Sequence, residues 1–420
     1  MVQVEGFSMQ INELKKQNKL IEIFCELAQI PSPSLREEKV IEWIKEFSDK
    51  NGLSCEPDNY KNLFINIPGT NLAKQPILLS AHMDVVGDFS PINIDVFEDF
   101  IQTDKTRTLG ADNKAGVACA LLLALELSQN KEVEHGGLEI IFTRDEEHGM
   151  SGIKQIDFKK IQSKYALVLD ADKLGQLLVS GASYTNGLLK VETAIGGHSG
   201  IDIHDKNRLN AAKLIADIIS KIPQGVFFAD ETGTITSINL GTVIGGNIQN
   251  TVSTVLSAHL ILSDYMGYFM ENAVTNVINT SAQACYSIRS ASVEKENQLK
   301  QIIENEISGF NQKYGELAKA EIVFSQHLPP FEKSSDDTIE KIHTIACKKL
   351  GIKQDISSFH AGAETHIYAK NKNAKNETIC PFLVGMADIF NMHSKDEKID
   401  YKTFLQGYRL LKEMFLVFNK

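Results

Sequence analysis

A chain of 420 residues exceeds what one hydrophobic core usually organises, so two domains are expected. Hydrophobic residues make up 43% and charged residues 23%, an ordinary balance for a soluble globular enzyme. The net charge of −11 argues against a nucleic-acid partner, because phosphate binding needs clustered Lys and Arg.

The six cysteines (Cys25, Cys55, Cys119, Cys285, Cys347, Cys380) form no CxxC pair and read as reduced thiols of a cytosolic protein. The longest strongly apolar stretch, Gly116 to Leu127, falls short of the ~18 residues a membrane span needs, so no membrane partner is expected. The N-terminal MVQVEGFSMQ has neither the basic nor the apolar region of a secretory signal, and the expected compartment is the cytoplasm.

In chain order, residues 11–29 carry helical spacing at Leu14, Leu20, Ile21, Ile23, Phe24 and Leu27. Ile30-Pro31-Ser32-Pro33-Ser34 breaks it, and Glu37 to Ser48 resumes it as a second helix. Short β-like runs follow at residues 63–67 and 76–86. A long helix is predicted from Asp112 or Asn113 through GVACALLLALELSQ, then buried strands at 138–143 and 165–169. Strands alternating with helices indicate an α/β fold whose mixed sheet has substantial parallel character.

From about Tyr184 the texture changes. The strand LLKVETAIGG, a helix over 207–222, the strands TSINLGTVIGG and AQACYSIRS, and a charged helix over 293–314 form a compact α+β block. Signals of the first type return after about Ala320, so the block reads as an inserted second domain. The expected boundaries are 1–183 and 319–420 for the first domain and 184–318 for the second.

Strand after strand in the first domain ends in polar chemistry: PILLSAHMD, LEIIFTRDEE, YALVLDAD and ICPFLVGMADIFNMH. Open α/β sheets place their sites at the carboxyl ends of strands. His82 and Asp84 stand two apart, on one side of a strand, where the carboxylate can orient a metal-bound imidazole. A satisfied histidine at a strand end explains the pair equally well. Asp112, at a loop-to-helix junction between glycines, can cap free N–H groups or bridge two cations. Glu146 and Glu147 are neighbours that point in different directions, so one can bind a metal while the other acts as general base. Asp170 follows a buried strand, with Asp172 as the alternative, and His393 completes a set of two histidines and three carboxylates. That set suffices for two metal ions with open positions for water. No GxSxG elbow and no GxxxxGK[ST] loop is present.

These segments — SAHMDVV, TLGADNKAG, FTRDEEHGMSG, LVLDAD, GGHSGIDIH and FNMHSKDEKI — resemble those of the co-catalytic zinc metallopeptidases of the peptidase T, aminoacyl-histidine dipeptidase and aminoacylase superfamily. The resemblance runs from about Ile23 to Phe415. It implies a zinc-hydrolase catalytic domain with an inserted lid and dimerisation domain, and two Zn2+ per chain, with Co2+ or Mn2+ as substitutes. It implies His82 and His393 as terminal ligands, Asp112 as the bridging carboxylate before a cis peptide, and Glu147 and Asp170 as the remaining ligands. Asp84 then orients His82, and Glu146 is the general base acting on a metal-bridged water.

In the inserted block, His198 of GGHSG resembles the histidine that reaches a partner subunit's site and stabilises the oxyanion, which implies a homodimer. Arg289 resembles a substrate-carboxylate ligand, a task suited to a guanidinium. Asn276, with Asn250 as the other candidate, stands for the lid asparagine; the family's proline is missing at both, and residues 247–272 form an extra segment. The loop His360 to Thr365 is similar to a substrate-facing glycine loop and brings in Glu364. The expected function is hydrolysis of the amide bond of short peptides, by an aminopeptidase, tripeptidase or dipeptidase. The alternatives are an N-acyl-amino-acid deacylase and a catalytically retired metal-binding dimeric scaffold.

Overall fold

The computed structural model describes residues 11–231, 233–246 and 276–420. Two compact units emerge. The first comprises the described residues up to Gly181, Phe331–Ser358 and Gly362–Lys420; the second comprises Ala182–Pro330 and Phe359–Ala361.

The first unit is built on an eight-stranded mixed sheet. Edge to edge its strands are Cys55–Pro57, Leu63–Pro68, Gly137–Thr143, Ile77–His82, Tyr165–Ala171, Cys380–Gly385, Gln176–Gly181 and Asp355–Phe359. The four central strands run parallel, from Gly137–Thr143 to Cys380–Gly385. They carry near-continuous apolar runs because both faces are covered, as parallel sheets require. The helix Ala111–Gln129 is buried almost all round and packs on Ile77–His82, with Lys19–Gln29 against it. Phe24 meets Phe404 edge to face at 5.3 Å, and burying each such ring contributes roughly 1.5–3 kcal/mol. A four-stranded sheet (Ile389–Phe390, Lys398–Asp400, Phe100–Thr103, Ile94–Phe97) completes the unit and holds the loop carrying His393 between its first two strands.

Two local expectations change. The helical pattern over 11–29 is interrupted at Asn18, whose backbone is extended (φ −137°, ψ 106°). The helix at Asp112 contains non-helical residues, Asp112 and Asn113, joined by a cis peptide.

The second unit has a five-stranded antiparallel sheet ordered Gly225–Ala229, Ile235–Gly245, Ser281–Ser290, Tyr184–Thr193, Ala318–Leu328. Helices Ala211–Ile219 and Val293–Tyr314 pack on one face, over Leu189, Val191, Ala284, Tyr286 and Ile288. Residues 319–330, read from sequence as the return to the first domain, belong here. The strand Ala318–Leu328 pairs with Tyr184–Thr193 along its length, and the Asn311 side chain both donates to and accepts from the Ala320 backbone. Among the described residues no helix is long and apolar enough to cross a membrane.

Candidate metal centre

Parallel register brings the chemistry together. His82 pairs with Thr143 across the sheet, and Ser80 pairs with Val168, which sets His82 level with Asp170. The strand Gly137–Thr143 leads directly into Asp145, which takes a left-handed conformation (φ 55°, ψ 41°) and starts a single helical turn bearing Glu146 and Glu147. Gly116 lets the helix Ala111–Gln129 come close to the strand Tyr165–Ala171: a Cβ there would collide with the Leu169 carbonyl and the Asn113 side chain. That approach seats Asp112 beside Asp170.

Two trios of donors result, sharing Asp112. In the inner trio, His82 Nε2 lies 3.1 Å from Asp112 Oδ1 and 3.3 Å from Asp170 Oδ1. In the outer trio, His393 Nε2 lies 3.1 Å from Asp112 Oδ2 and 3.0 Å from Glu147 Oε1. Asp172, the sequence alternative to Asp170, joins neither trio; its carbonyl accepts from the Ile389 N–H instead.

The donor chemistry suits divalent cations. His82 Nδ1 donates to the Asp84 carbonyl at 3.0 Å, so in the neutral ring the Nε2 lone pair faces two carboxylate oxygens. Lone pair and carboxylates repel unless a proton or cation lies among them. The protonation tendencies carry the same message. Burial disfavours a charged His82 ring, but the charge of Asp170 and hydrogen bonds that the ring donates to Asp112, Asp170 and Asp84 hold its pKa well above the usual imidazole value. Asp170 is pushed up to about 8, chiefly by burial and also by Asp112. His393 is raised to about 10 by its hydrogen bonds to Asp112 and Glu147. Asp112 is lowered against the cost of its burial by the two imidazoles. Burial, with Asp170, Glu364 and Glu147 nearby, holds Glu146 well above the ordinary carboxylate range.

Three buried carboxylates fix the loops that bear these donors. Asp84 lies beyond the strand end rather than in a strand facing His82, and it holds the ring mainly through its carbonyl, with Oδ1 at 3.4 Å. Its carboxylate accepts the N–H groups of Glu146 (3.0 Å) and Glu147 (3.1 Å) and the Ser34 hydroxyl (2.7 Å). Glu37 accepts the Arg144 guanidinium and the Asp145 N–H at 3.1 Å, anchoring the turn before Glu146. Glu397 accepts the N–H groups of Gly110 (2.6 Å) and Asp112 (3.2 Å) and the Thr108 hydroxyl. Sequence reasoning passed over Ser34, Glu37, Arg144 and Glu397. The one available signal was the acidic end of the segment NMHSKDE.

The remaining sequence candidates separate by unit. Glu364 is buried in the first unit beneath the centre; its Oε2 accepts from Ser80 at 3.3 Å, and burial pushes its pKa up to about 7. His198, Asn276 and Arg289 belong to the second unit. His198 is exposed, and its Nδ1 accepts the N–H groups of Gly200 (3.1 Å) and Ile201 (3.3 Å). It pairs with Val277, and the neighbouring Asn276 carbonyl accepts the Ser199 N–H. Arg289 lies over the Tyr184 ring at 4.8 Å, on the face of its strand opposite Ala284, Tyr286 and Ile288; among the described residues no carboxylate forms an ion pair with it. Asn250 and the whole extra segment over 247–272 lie outside the described residues.

The sequence matches Peptidase family M20/M25/M40 over residues 78–416. It is 27% identical over 367 residues to protein YqjE of Bacillus subtilis (strain 168), covering 84% of this chain and 87% of that one. It is 29% identical over 225 residues to the cytosol non-specific dipeptidase of Escherichia coli (strain K12), covering 46% of this chain and 45% of that one. Among solved structures the fold is similar to that of aminopeptidase PepT from Bacillus cereus ATCC 10987, with a TM-score of 0.79 at 22% identity, over 96% of this chain and 98% of that one.

Proposed function

Because the chain belongs to peptidase family M20/M25/M40 and is a metallopeptidase, we propose that it hydrolyses short peptides with two divalent ions, zinc foremost, and Glu146 as general base. The observation that carries this reading is the pair of trios meeting at one carboxylate, each Asp112 oxygen facing a different imidazole. His82, Asp112 and Asp170 would hold one ion, and Asp112, Glu147 and His393 the other. Bound there, such ions polarise a scissile carbonyl and acidify water.

The chain's own groups supply the rest. Glu146, fixed by its N–H on Asp84, takes a proton from the attacking water as that oxygen bonds to the carbonyl carbon. It delivers the proton to the nitrogen as the C–N bond breaks. A carboxylate can make both transfers, as base towards the water and as acid towards the leaving nitrogen. With its Nδ1 occupied by two backbone N–H groups, neutral His198 carries its proton on exposed Nε2, a donor ready for an oxyanion in the site of a second copy. Arg289, without a carboxylate partner among the described residues, suits the peptide's carboxylate; Asn276 and Glu364 complete the substrate assignment. The reading extends to a homodimer formed through the second unit and, with six free cysteines, to the cytoplasm.

The test is metal content beside turnover. The protein dialysed against trace zinc should hold two ions per chain, and Glu146→Gln should keep both while kcat on a di- and tripeptide panel falls by ~10²–10⁴. Less than one ion per chain in the parent protein, or near-normal kcat in the fully loaded variant, overturns the mechanism.

A further inference from the structure

We propose that Glu397 is a positioning residue: it joins the loop of the bridging Asp112 to the loop of His393 and so sets the geometry of the outer trio. The inference rests on the two-ion reading above and adds a residue to it.

The Glu397 side chain is 1% exposed, and a buried carboxylate is costly unless it is fully hydrogen-bonded. Its donors all come from one short segment. Oε2 accepts from the Gly110 N–H and the Thr108 hydroxyl, and Oε1 from the N–H of Asp112 itself. Gly110 has a positive φ (74°), and a Cβ there would press on Val85, so only glycine presents that N–H without strain. The other end of Glu397 belongs to the loop of His393. Its backbone N–H donates to the Ser394 carbonyl at 3.2 Å, closing the turn that follows the histidine. The next residues, Lys398–Asp400, pair with Phe100–Thr103, which anchors the turn in the four-stranded sheet.

One side chain therefore connects a rigid strand, the backbone of the shared ligand and the turn behind the exposed ligand. Its charge also counts. A second carboxylate behind Asp112 repels it in the bare protein and strengthens the attraction for cations in front of it. An apolar residue would fill the same space at lower desolvation cost but would supply neither the three acceptor contacts nor the field.

The test titrates zinc into chelator-stripped protein against a competing chromophoric chelator, which returns a constant for each ion. In Glu397→Gln the weaker constant should fall by ~10–100-fold, the usual cost of losing an orienting partner, and by more than the tighter one, because only the outer trio also loses the anchor of its histidine loop. Thr108→Val, which removes one donor and leaves the carboxylate, should shift the same constant in the same direction by less. Glu413→Gln is the control: Glu413 is a buried acid paired with Lys349 at 2.6 Å, outside both trios, and its loss should leave both constants alone. Wild-type constants in Glu397→Gln, or an equal fall of both constants shared by Glu413→Gln, overturn the proposal. Should Glu397→Gln fail to fold, an unchanged weaker constant in Thr108→Val overturns it. A parent protein that binds fewer than two ions defeats the two-ion reading instead, which is a separate result.

Discussion

The two trios share Asp112 and differ in almost everything else. In the inner one His82 is 2% exposed, with its second nitrogen held by Asp84; in the outer one the His393 side chain is 51% exposed and sits on a loop with left-handed backbone at Asn391 and His393. The inner imidazole is aimed before any ion arrives. The outer ring is half exposed and meets Asp112 and Glu147 through Nε2 alone, so fixing it costs more side-chain entropy. One motif series, spread over similar strand ends, thus yields one rigid and one adaptable position.

The sharpest way to break that distinction is to remove each ring. His82→Ala should abolish the inner ion, and His393→Ala should cost the outer ion far more than the inner one, which keeps His82 and Asp170. Either loss should exceed the ~10–100-fold typical of an orienting partner. Chelator competition on both variants checks this, and identical behaviour would erase the asymmetry.

A second comparison uses pH. In the ion-free protein Asp170 holds its proton up to about 8 and His393 up to about 10, so below those values a cation must displace protons to bind. Affinity should therefore rise with pH, by roughly tenfold per unit for each proton displaced. Calorimetry in buffers of different ionisation enthalpy measures the protons released; no release at pH 7 would contradict it. The smallest expected effect is that of Ser34→Ala, which removes one hydroxyl from Asp84. The inner ion's affinity should fall by less than about tenfold, because Asp84 keeps the Glu146 and Glu147 N–H groups and only part of the ~1.5–3 kcal/mol of a charged hydrogen bond reaches the ion. A loss as large as that of His82→Ala would place Ser34 among the residues that define the position.

Much of this was legible in the sequence for a physical reason. His82, Asp112, Glu147, Asp170 and His393 each stand near the end of an apolar run or a glycine-flanked loop, and parallel strands deliver such ends to one edge. Glu37, Arg144 and Glu397 were not legible. A buried acid that binds backbone N–H groups has no periodicity of its own, and in a string such as SKDEK it looks like solvated charge. The strand Ala318–Leu328 misled for a related reason. Its inward residues Ala318 and Ala320 are small, its outer half is exposed, and its place is decided by a partner more than a hundred residues earlier. The break at Asn18 lies inside an amphipathic pattern that continues on both sides, so periodicity passes over it.

The shared carboxylate of Asp112 carries one more consequence. Asp112 offers Oδ1 to one trio and Oδ2 to the other, so an ion held by either trio would change the charge that Asp112 presents to the other. By thermodynamic reciprocity, the factor by which the first ion changes the second's affinity equals the factor by which the second changes the first's. With an ion in each trio, as proposed, the centre would be a two-site allosteric system spanning a single side chain, and a metal titration of the whole protein would report the coupling energy of that side chain as directly as occupancy.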